Sequence, residues 1–154
     1  MYTKDGSVLI QYALGDSATS YTTPETVKTI ADSACKQANN LQTVAVGKNV
    51  ETVGAHAFSA CANINTLTLG NAVKEIGSSA FANCSALSSI VIPNSVTTMH
   101  DNIFYDSANL YGTLDIEIYC EAESKPSGWK SAWNYSFPTA LEVVWGYVED
   151  TEEE

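Results

Sequence analysis

The chain has 154 residues and a formal net charge of −11, from seven basic and eighteen acidic side chains. An acidic surface repels the phosphates of nucleic acids and anionic lipids, so neither is an expected partner. No apolar run approaches the roughly 18 residues that a membrane-spanning helix requires, and the length is typical of one domain with a sizeable core.

Residues 1–20 are predicted to form a hairpin that caps the rest of the fold. Asp5-Gly6 is a strong signal for a two-residue turn, and Val8 to Tyr12 has the composition of a strand. The opening residues lack the features of a secretory leader. Because the repeats begin almost at once, we expect the sequence to be a piece of a longer chain.

Residues 21–110 contain a repeat with a period of 23 residues, and Leu41, Ile64 and Leu87 begin its three full units. Apolar residues recur at fixed positions in these units. The columns are Val44, Leu67 and Ile90; Val46, Leu69 and Ile92; Val50, Val73 and Val96; Val53, Ile76 and Met99; and Phe58, Phe81 and Phe104. A fixed period of this length is typical of a solenoid, in which each coil buries its apolar residues only against its neighbours.

Each unit also indicates which part of its coil is a strand. In Val44-Ala45-Val46 and the matching residues of the next two units, every second side chain belongs to an apolar column. This alternation is typical of a short strand with one buried face. Gly47, Gly70 and Pro93 follow and end the strands. At the ends of units, Asn40 and Asn63 are predicted to bond from buried positions to the backbone of the adjacent coil.

Residues 111–147 are predicted to form a C-terminal capping unit, followed by a disordered acidic tail at 148–154. The alternation of apolar and polar residues resumes at Leu114, Ile116 and Ile118, one residue later than the repeat period would place it. A second alternating set is Leu141, Val143 and Trp145. The first set predicts a displaced closing strand and the second a last strand. Between them, residues 127–133 are interpreted as a short helical turn with Trp129 and Trp133 on one face.

Cys61 and Cys84 are predicted to be free, buried thiols, whereas the redox state of Cys35 and Cys120 is left open. Cys61 and Cys84 occupy an inward column, where a free cysteine behaves as a small apolar residue. Stacked coils bring equivalent Cα atoms to about 5 Å, but parallel side chains meet disulfide geometry poorly. Cys35 takes the place of a phenylalanine and is expected to be packed, whereas Cys120 has no predicted place.

The columns resemble the BspA-like leucine-rich repeats of bacterial surface proteins, whose pattern is L-x-x-I-x-I-P-x-S-V-x-x-I-G-x-x-A-F-x-x-C. The matching residues are Leu87, Ile90, Ile92, Pro93, Ser95 and Val96, and, one unit earlier, Val73, Ile76, Gly77, Ala80, Phe81 and Cys84. We therefore predict an α/β-type but mainly β solenoid of about four coils, with a parallel sheet on one face and capped ends. The resemblance implies a non-enzymatic binding or adhesion module that is extracellular or attached to the cell surface.

Candidate catalytic and metal-binding residues are sparse. His56 lies five residues before Cys61, but it occupies a turn position and Cys61 an inward one. Asp101, Asp106 and His100 match no known set of metal ligands, and no established catalytic motif occurs. We predict no enzyme activity, no cofactor and no metal ion.

Two candidate ligand surfaces remain. The first consists of the outward strand residues Thr43, Ala45, Thr66, Thr68, Ser89 and Val91. They predict either a shallow neutral surface for a protein or glycan or the solvated face of a structural spacer that displays other domains. The second is Trp129 and Trp133, which either cover the last coil or, if exposed, form a platform for a sugar. The expected partner is a host or bacterial surface protein or glycan, and the chain is expected to be a monomer.

Overall fold

The computed structural model describes residues 1–105, 116–136 and 139–148, which form a mainly β solenoid of about five turns. The predicted repeat solenoid is confirmed, and none of the described residues lies in a helix. No described segment could therefore cross a bilayer as a helix. The strands are β1 (Val8–Leu9), β2 (Ser20–Thr22), β3 (Thr29–Ile30), β4 (Thr43–Ala45), β5 (Thr52–Val53), β6 (Thr66–Thr68), β7 (Glu75–Ile76), β8 (Ser89–Ile92), β9 (Thr98–Met99), β10 (Glu117–Cys120), β11 (Tyr135–Ser136), β12 (Thr139–Ala140) and β13 (Val143–Trp145).

Parallel sheets line two sides of the solenoid. On the side that we call the front, β2, β4 and β6 form one three-stranded sheet, and β8, β10 and β13 form another. On the back, β1, β3, β5, β7 and β9 form one continuous five-stranded sheet. The front strands are those that the alternation predicted, whereas the back strands were predicted only as a return path. Each back strand has two residues, too few for alternation to show.

The repeated apolar columns form the core. Phe58, Phe81 and Phe104 are completely buried and lie in one row, with ring centroids 5.9 Å apart at both steps and nearly parallel planes. Trp133 continues this row, with its ring centroid 6.5 Å from that of Phe104. The predicted stacking of one aromatic side chain from each coil is therefore confirmed, and the row extends into the C-terminal segment.

All four cysteines are buried thiols outside any disulfide, which confirms the prediction for Cys61 and Cys84. The Cys61 thiol donates to the carbonyl of Cys35 at 3.0 Å, and the Cys84 thiol donates to the carbonyl of Phe58 at 3.2 Å. Burial raises the pKa of Cys61 to about 11 and the pKa values of Cys35, Cys84 and Cys120 to about 12. Cys120, which had no predicted place, lies on β10 and pairs with Ile92 of β8.

The amides at the unit ends do join neighbouring coils, but from exposed positions. Asn40 donates its side-chain amide to the carbonyl of Asp16, and Asn63 donates to that of Asn39, both at 2.7 Å. The prediction of the bonds is confirmed and the prediction of burial is wrong. The carbonyl acceptors lie at the outer ends of the coils, where the amides remain in contact with solvent.

The N-terminal segment forms the predicted turn and covers the first coil. Gly6 has a φ of 73° and donates to Thr3, and Tyr2 forms an antiparallel bridge with Leu9. β1 is shorter than predicted and joins the back sheet beside β3. Farther along, Tyr12 is buried and donates its amide to Ala34 at 2.7 Å, next to the cysteine that replaces the first phenylalanine.

The C-terminal segment continues the coils with a different spacing. β10 pairs with β8 through Ile118 and Ile90, which are 28 residues apart, and β13 pairs with β10. The helical turn predicted at 127–133 is wrong, because Trp129 forms a parallel bridge with Met99 and two turns flank that bridge. The predicted boundary at 110–111 and the tail beyond Val148 lie outside the described residues.

Candidate binding face

The six predicted face residues all lie on the outward side of the front strands. Thr43, Thr66, Thr68 and Ser89 are exposed, and Ala45 and Val91 are half-buried. In the first front sheet they form two straight rows, one from Thr43 to Thr66 and one from Ala45 to Thr68. Ser89 and Val91 belong to the second front sheet, so the structure divides the predicted set between two sheets.

The second front sheet adds residues that sequence reasoning missed. Tyr119 of β10 lies between Val91 of β8 and Val144 of β13, in one row across the sheet. Val144 is 51% exposed, and the Tyr119 ring lies 4.8 Å from that of Tyr147. The hydroxyl of Tyr119 donates to the Glu117 carboxylate at 2.8 Å, which raises the pKa of Tyr119.

A signal for these residues was present in the sequence. Glu117 and Tyr119 alternate with the buried Ile116, Ile118 and Cys120, so the strand pattern already placed them outward. The residues that lie beside them on the face could not be predicted from the sequence, because the interval from Ile90 to Ile118 differs from the repeat period. The face therefore changes from small and hydroxyl-bearing to apolar and aromatic between its two sheets.

A cleft marks the junction of the two front sheets. It has a volume of about 360 Å³ and is lined from both sides, by residues that include Thr66, Thr68, Ser89 and Pro93. Among the described residues that line it, Glu121 carries the only charge. The Glu121 carboxylate accepts a hydrogen bond from the Asn94 amide at 2.8 Å. The cleft is thus a mostly neutral, hydroxyl-lined depression in the face.

Comparison with known proteins decides the family. The model of the BspA type leucine rich repeat region matches residues 12–120 in six copies. This chain belongs to the BspA-type leucine-rich repeat family. No curated protein matches the chain.

Solved structures of bacterial leucine-rich repeat proteins share the fold. A leucine rich cell surface protein from Faecalibacterium prausnitzii has a TM-score of 0.73 and 24% identity over 92% of this chain and 36% of its own. A leucine-rich repeat protein from Bacteroides capillosus has a TM-score of 0.63 and 26% identity over 79% of this chain and 91% of its own. The T. pallidum leucine rich repeat protein has a TM-score of 0.67 and 19% identity over 95% of this chain. This BspA-type chain spans 61% of the T. pallidum chain.

The two tryptophans of the proposed sugar platform are core residues of this BspA-type solenoid. Trp129 and Trp133 are 3% and 2% exposed, and their ring centroids lie 4.8 Å apart in an edge-to-face contact. The Trp129 indole donates to the carbonyl of Val96 at 3.0 Å. Neither ring offers a face to a ligand, so the structure supports the covering role and contradicts the platform. The sequence prediction placed these two rings, four residues apart, on one face of a helical turn. In the structure, the chain forms a β-bridge at Trp129 and then a turn.

The histidine and cysteine considered for catalysis do not form a reactive pair. His56 is exposed at a left-handed turn position, with a φ of 55°. Cys61 is buried, its thiol donates to a backbone carbonyl, and its pKa is raised rather than lowered. A reactive cysteine requires the opposite shift in pKa.

The acidic residues and histidine considered for metal binding are not gathered into a site either. No group of three His, Cys, Asp or Glu among the described residues is placed to hold a metal ion. His100 instead contacts Glu75, with 3.0 Å between the ring nitrogen and a carboxylate oxygen. Asp106 lies outside the described residues.

Proposed function

We propose that this BspA-type solenoid is a non-catalytic binding module of a bacterial protein that is secreted or displayed on the cell surface. It contacts a protein or glycan partner through the front face. The family membership and the cell-surface protein from Faecalibacterium prausnitzii among its structural relatives support the location. Extended repeat surfaces of this kind are suited to broad contacts with a partner.

The observation that carries this proposal is the row of Val91, Tyr119 and Val144. Large contiguous apolar patches are uncommon on monomeric soluble proteins, so a row in which the half-buried Val91 and Tyr119 adjoin the exposed Val144 favours contact with a partner. Tyrosine is enriched at binding hot spots because its ring is rigid and its hydroxyl can bond. Here the hydroxyl of Tyr119 is oriented by Glu117. The hydroxyl rows of the first front sheet then provide polar contacts around this anchor.

Arrays of glycans and of host and bacterial surface proteins, probed with the purified protein, test the proposal. A saturable ligand should bind Tyr119→Ala at least about tenfold more weakly than the wild type, as expected for a central aromatic anchor. Tyr105→Ala is the matched control, because Tyr105 is 39% exposed, stacks on Tyr135 and lies away from the front strands. It should leave the affinity unchanged. If no array member binds saturably, the domain acts as a spacer and the proposal is wrong.

A further inference from the structure

The charges on the front of the solenoid are all negative and all belong to the second front sheet. None of the seven lysines in the sequence lies on a front strand, and the chain contains no arginine. Within the six front strands, Glu117 of β10 is the only charged residue. Glu121 directly follows β10, and Glu142 directly precedes β13. The first front sheet is therefore neutral and the second is acidic.

Glu117 and Glu142 lie side by side on the outward surface of the second front sheet. Ile118 of β10 pairs with Val143 of β13. The residues that precede this pair therefore occupy adjacent places on parallel strands, which are about 4.8 Å apart. Both glutamates are exposed. Like charges at facing positions of a sheet are destabilising, so this pair lowers the stability of the free protein.

No lysine or histidine of the described residues neutralises these two carboxylates. The ion pairs of the described residues are Lys48 with Glu25, Lys74 with Glu51 and His100 with Glu75. None of them involves a residue of a front strand. The Glu117 carboxylate accepts a hydrogen bond from the hydroxyl of Tyr119, which is an uncharged donor. The negative charge of the second front sheet is thus left for a cation of a partner to balance.

The two glutamates line a pocket together with apolar and aromatic side chains. This pocket has a volume of about 550 Å³, and its lining includes Glu117, Tyr119, Glu142 and Val144. We call these four residues the acidic pocket. An arginine side chain matches all of them, because its planar guanidinium pairs with carboxylates and stacks on aromatic rings. Its aliphatic stem packs on apolar surface.

We propose that the acidic pocket binds an arginine side chain of a partner protein. This inference rests on the proposed binding function of the front face and names the chemistry of its partner. The guanidinium lies between the carboxylates of Glu117 and Glu142 and against the Tyr119 ring. Residues beside the arginine cover Val91 and Val144. Charge complementarity selects a basic partner, and the net charge of −11 acts in the same direction. A neutral glycan would leave both carboxylates without a counter-ion.

Urea denaturation of Glu142→Gln tests the premise in the free protein. Because the substitution removes the repulsion with Glu117, the midpoint should equal that of the wild type or exceed it. Glu25→Gln, which breaks an exposed ion pair with Lys48, is the reference. If the midpoint of Glu142→Gln fell below that of Glu25→Gln, Glu142 would have a stabilising partner inside the protein, and the proposal would be overturned.

Selection from a phage-displayed library of random linear peptides tests the occupant. Selected peptides should contain arginine and bind Glu142→Gln about tenfold more weakly than wild type, as expected for the loss of a close charge pair. Glu25→Gln makes the same change in net charge between β2 and β3, so screening should hold its effect below about twofold. Equal losses in the two variants would overturn the proposal, because the peptides would then bind the acidic protein as a whole. Selected peptides without arginine would also overturn it.

A double-mutant cycle tests whether the arginine contacts Glu142. The arginine of a selected peptide is replaced by glutamine, and both peptides are measured with the wild type and with Glu142→Gln. Because the effects of residues in contact are not independent, either change alone should produce most of the loss that the two produce together. Additive losses would overturn the proposal, since the arginine would then bind elsewhere.

The remaining outcomes separate this inference from the proposed function. Array ligands that lose affinity for Tyr119→Ala but bind Glu142→Gln normally would overturn the arginine and leave the front face as a binding surface. A cationic glycan that requires Glu142, with no enriched peptide or protein, would overturn the protein partner. Absence of any ligand on the arrays and in the library together would overturn both.

Discussion

The front and the back of this solenoid are built from the same repeat but are held together differently. Behind the front sheets, the back strands pair without interruption from β1 to β9, and Phe58, Phe81 and Phe104 stack at both steps of the aromatic row. At the front, the hydrogen-bonded ladder stops between β6 and β8, and the outward side chains change in character. The back sheet therefore keeps its register across the step at which the front ladder is interrupted.

Truncation of the aromatic row should have the largest effect. Phe81 is completely buried between Phe58 and Phe104, so Phe81→Ala removes ring contacts on both sides and leaves a cavity. The free energy of unfolding should fall by about 3–5 kcal/mol in urea denaturation. Ser88→Ala, at an exposed position before β8, is the control and should be nearly neutral. Equal midpoints for the two variants would show that the row does not hold the coils together.

Close approach of the coils at the back should have the next largest effect. In Gly77→Ala the new Cβ atom would lie 2.4 Å from the backbone nitrogen of Ala55, so the two coils must move apart. We expect a loss of about 1–3 kcal/mol, typical of overpacking. Gly15→Ala has no atom within 4 Å of the new Cβ and should be neutral or stabilising by about 0.4–1 kcal/mol. A similar effect from both changes would contradict the tight packing at the back.

The buried thiols should make stability depend on alkaline pH. An unfolded cysteine ionises near its ordinary pKa of 9.0, whereas burial raises the pKa of Cys84 in the folded chain to about 12. The unfolded chain therefore loses its protons first, and the free energy of unfolding should fall as the pH rises from about 9 toward 12. Cys84→Ala should show a shallower fall in urea titrations, with tyrosine ionisation common to both chains.

The same thiols should be chemically inaccessible in the folded chain. At neutral pH, Ellman's reagent should react with the native protein only slowly and with all four cysteines once urea unfolds it. Rapid modification without denaturant would show that the inward column opens to solvent. This result would contradict the close packing of the coils around the buried cysteines.

The smallest effect is expected at the front. Thr68 is exposed on β6, beside the cleft, and its side chain has no buried contact to lose in Thr68→Ala. The free energy of unfolding should change by no more than about 0.5 kcal/mol, the usual range for surface substitutions. A loss comparable with that of Gly77→Ala would show that the front face contributes to stability as much as the back does.

Sequence reasoning reached the core of the fold because every buried column repeats at one fixed interval. The positions of Phe58, Phe81 and Phe104 in a single row follow from that interval alone. The burial of Cys35, Cys61 and Cys84 and the outward direction of Thr43, Thr66 and Ser89 follow from it too. The reasoning failed where the interval changes. Trp129 and Trp133 were placed on one face of a helical turn, but they continue the bridge and the aromatic row of the preceding coil.

The sequence by itself determined that the chain stacks 23-residue coils and which side chains point inward, because periodic burial leaves a periodic pattern. Only the tertiary structure decided that Tyr119 joins Val91 and Val144 in one outward row, and that the ladder at the front stops between β6 and β8. These features depend on how closely particular coils approach, and on a longer connection that resets the register. Neither the distance between coils nor the register after the longer connection can be predicted from a local pattern of residues.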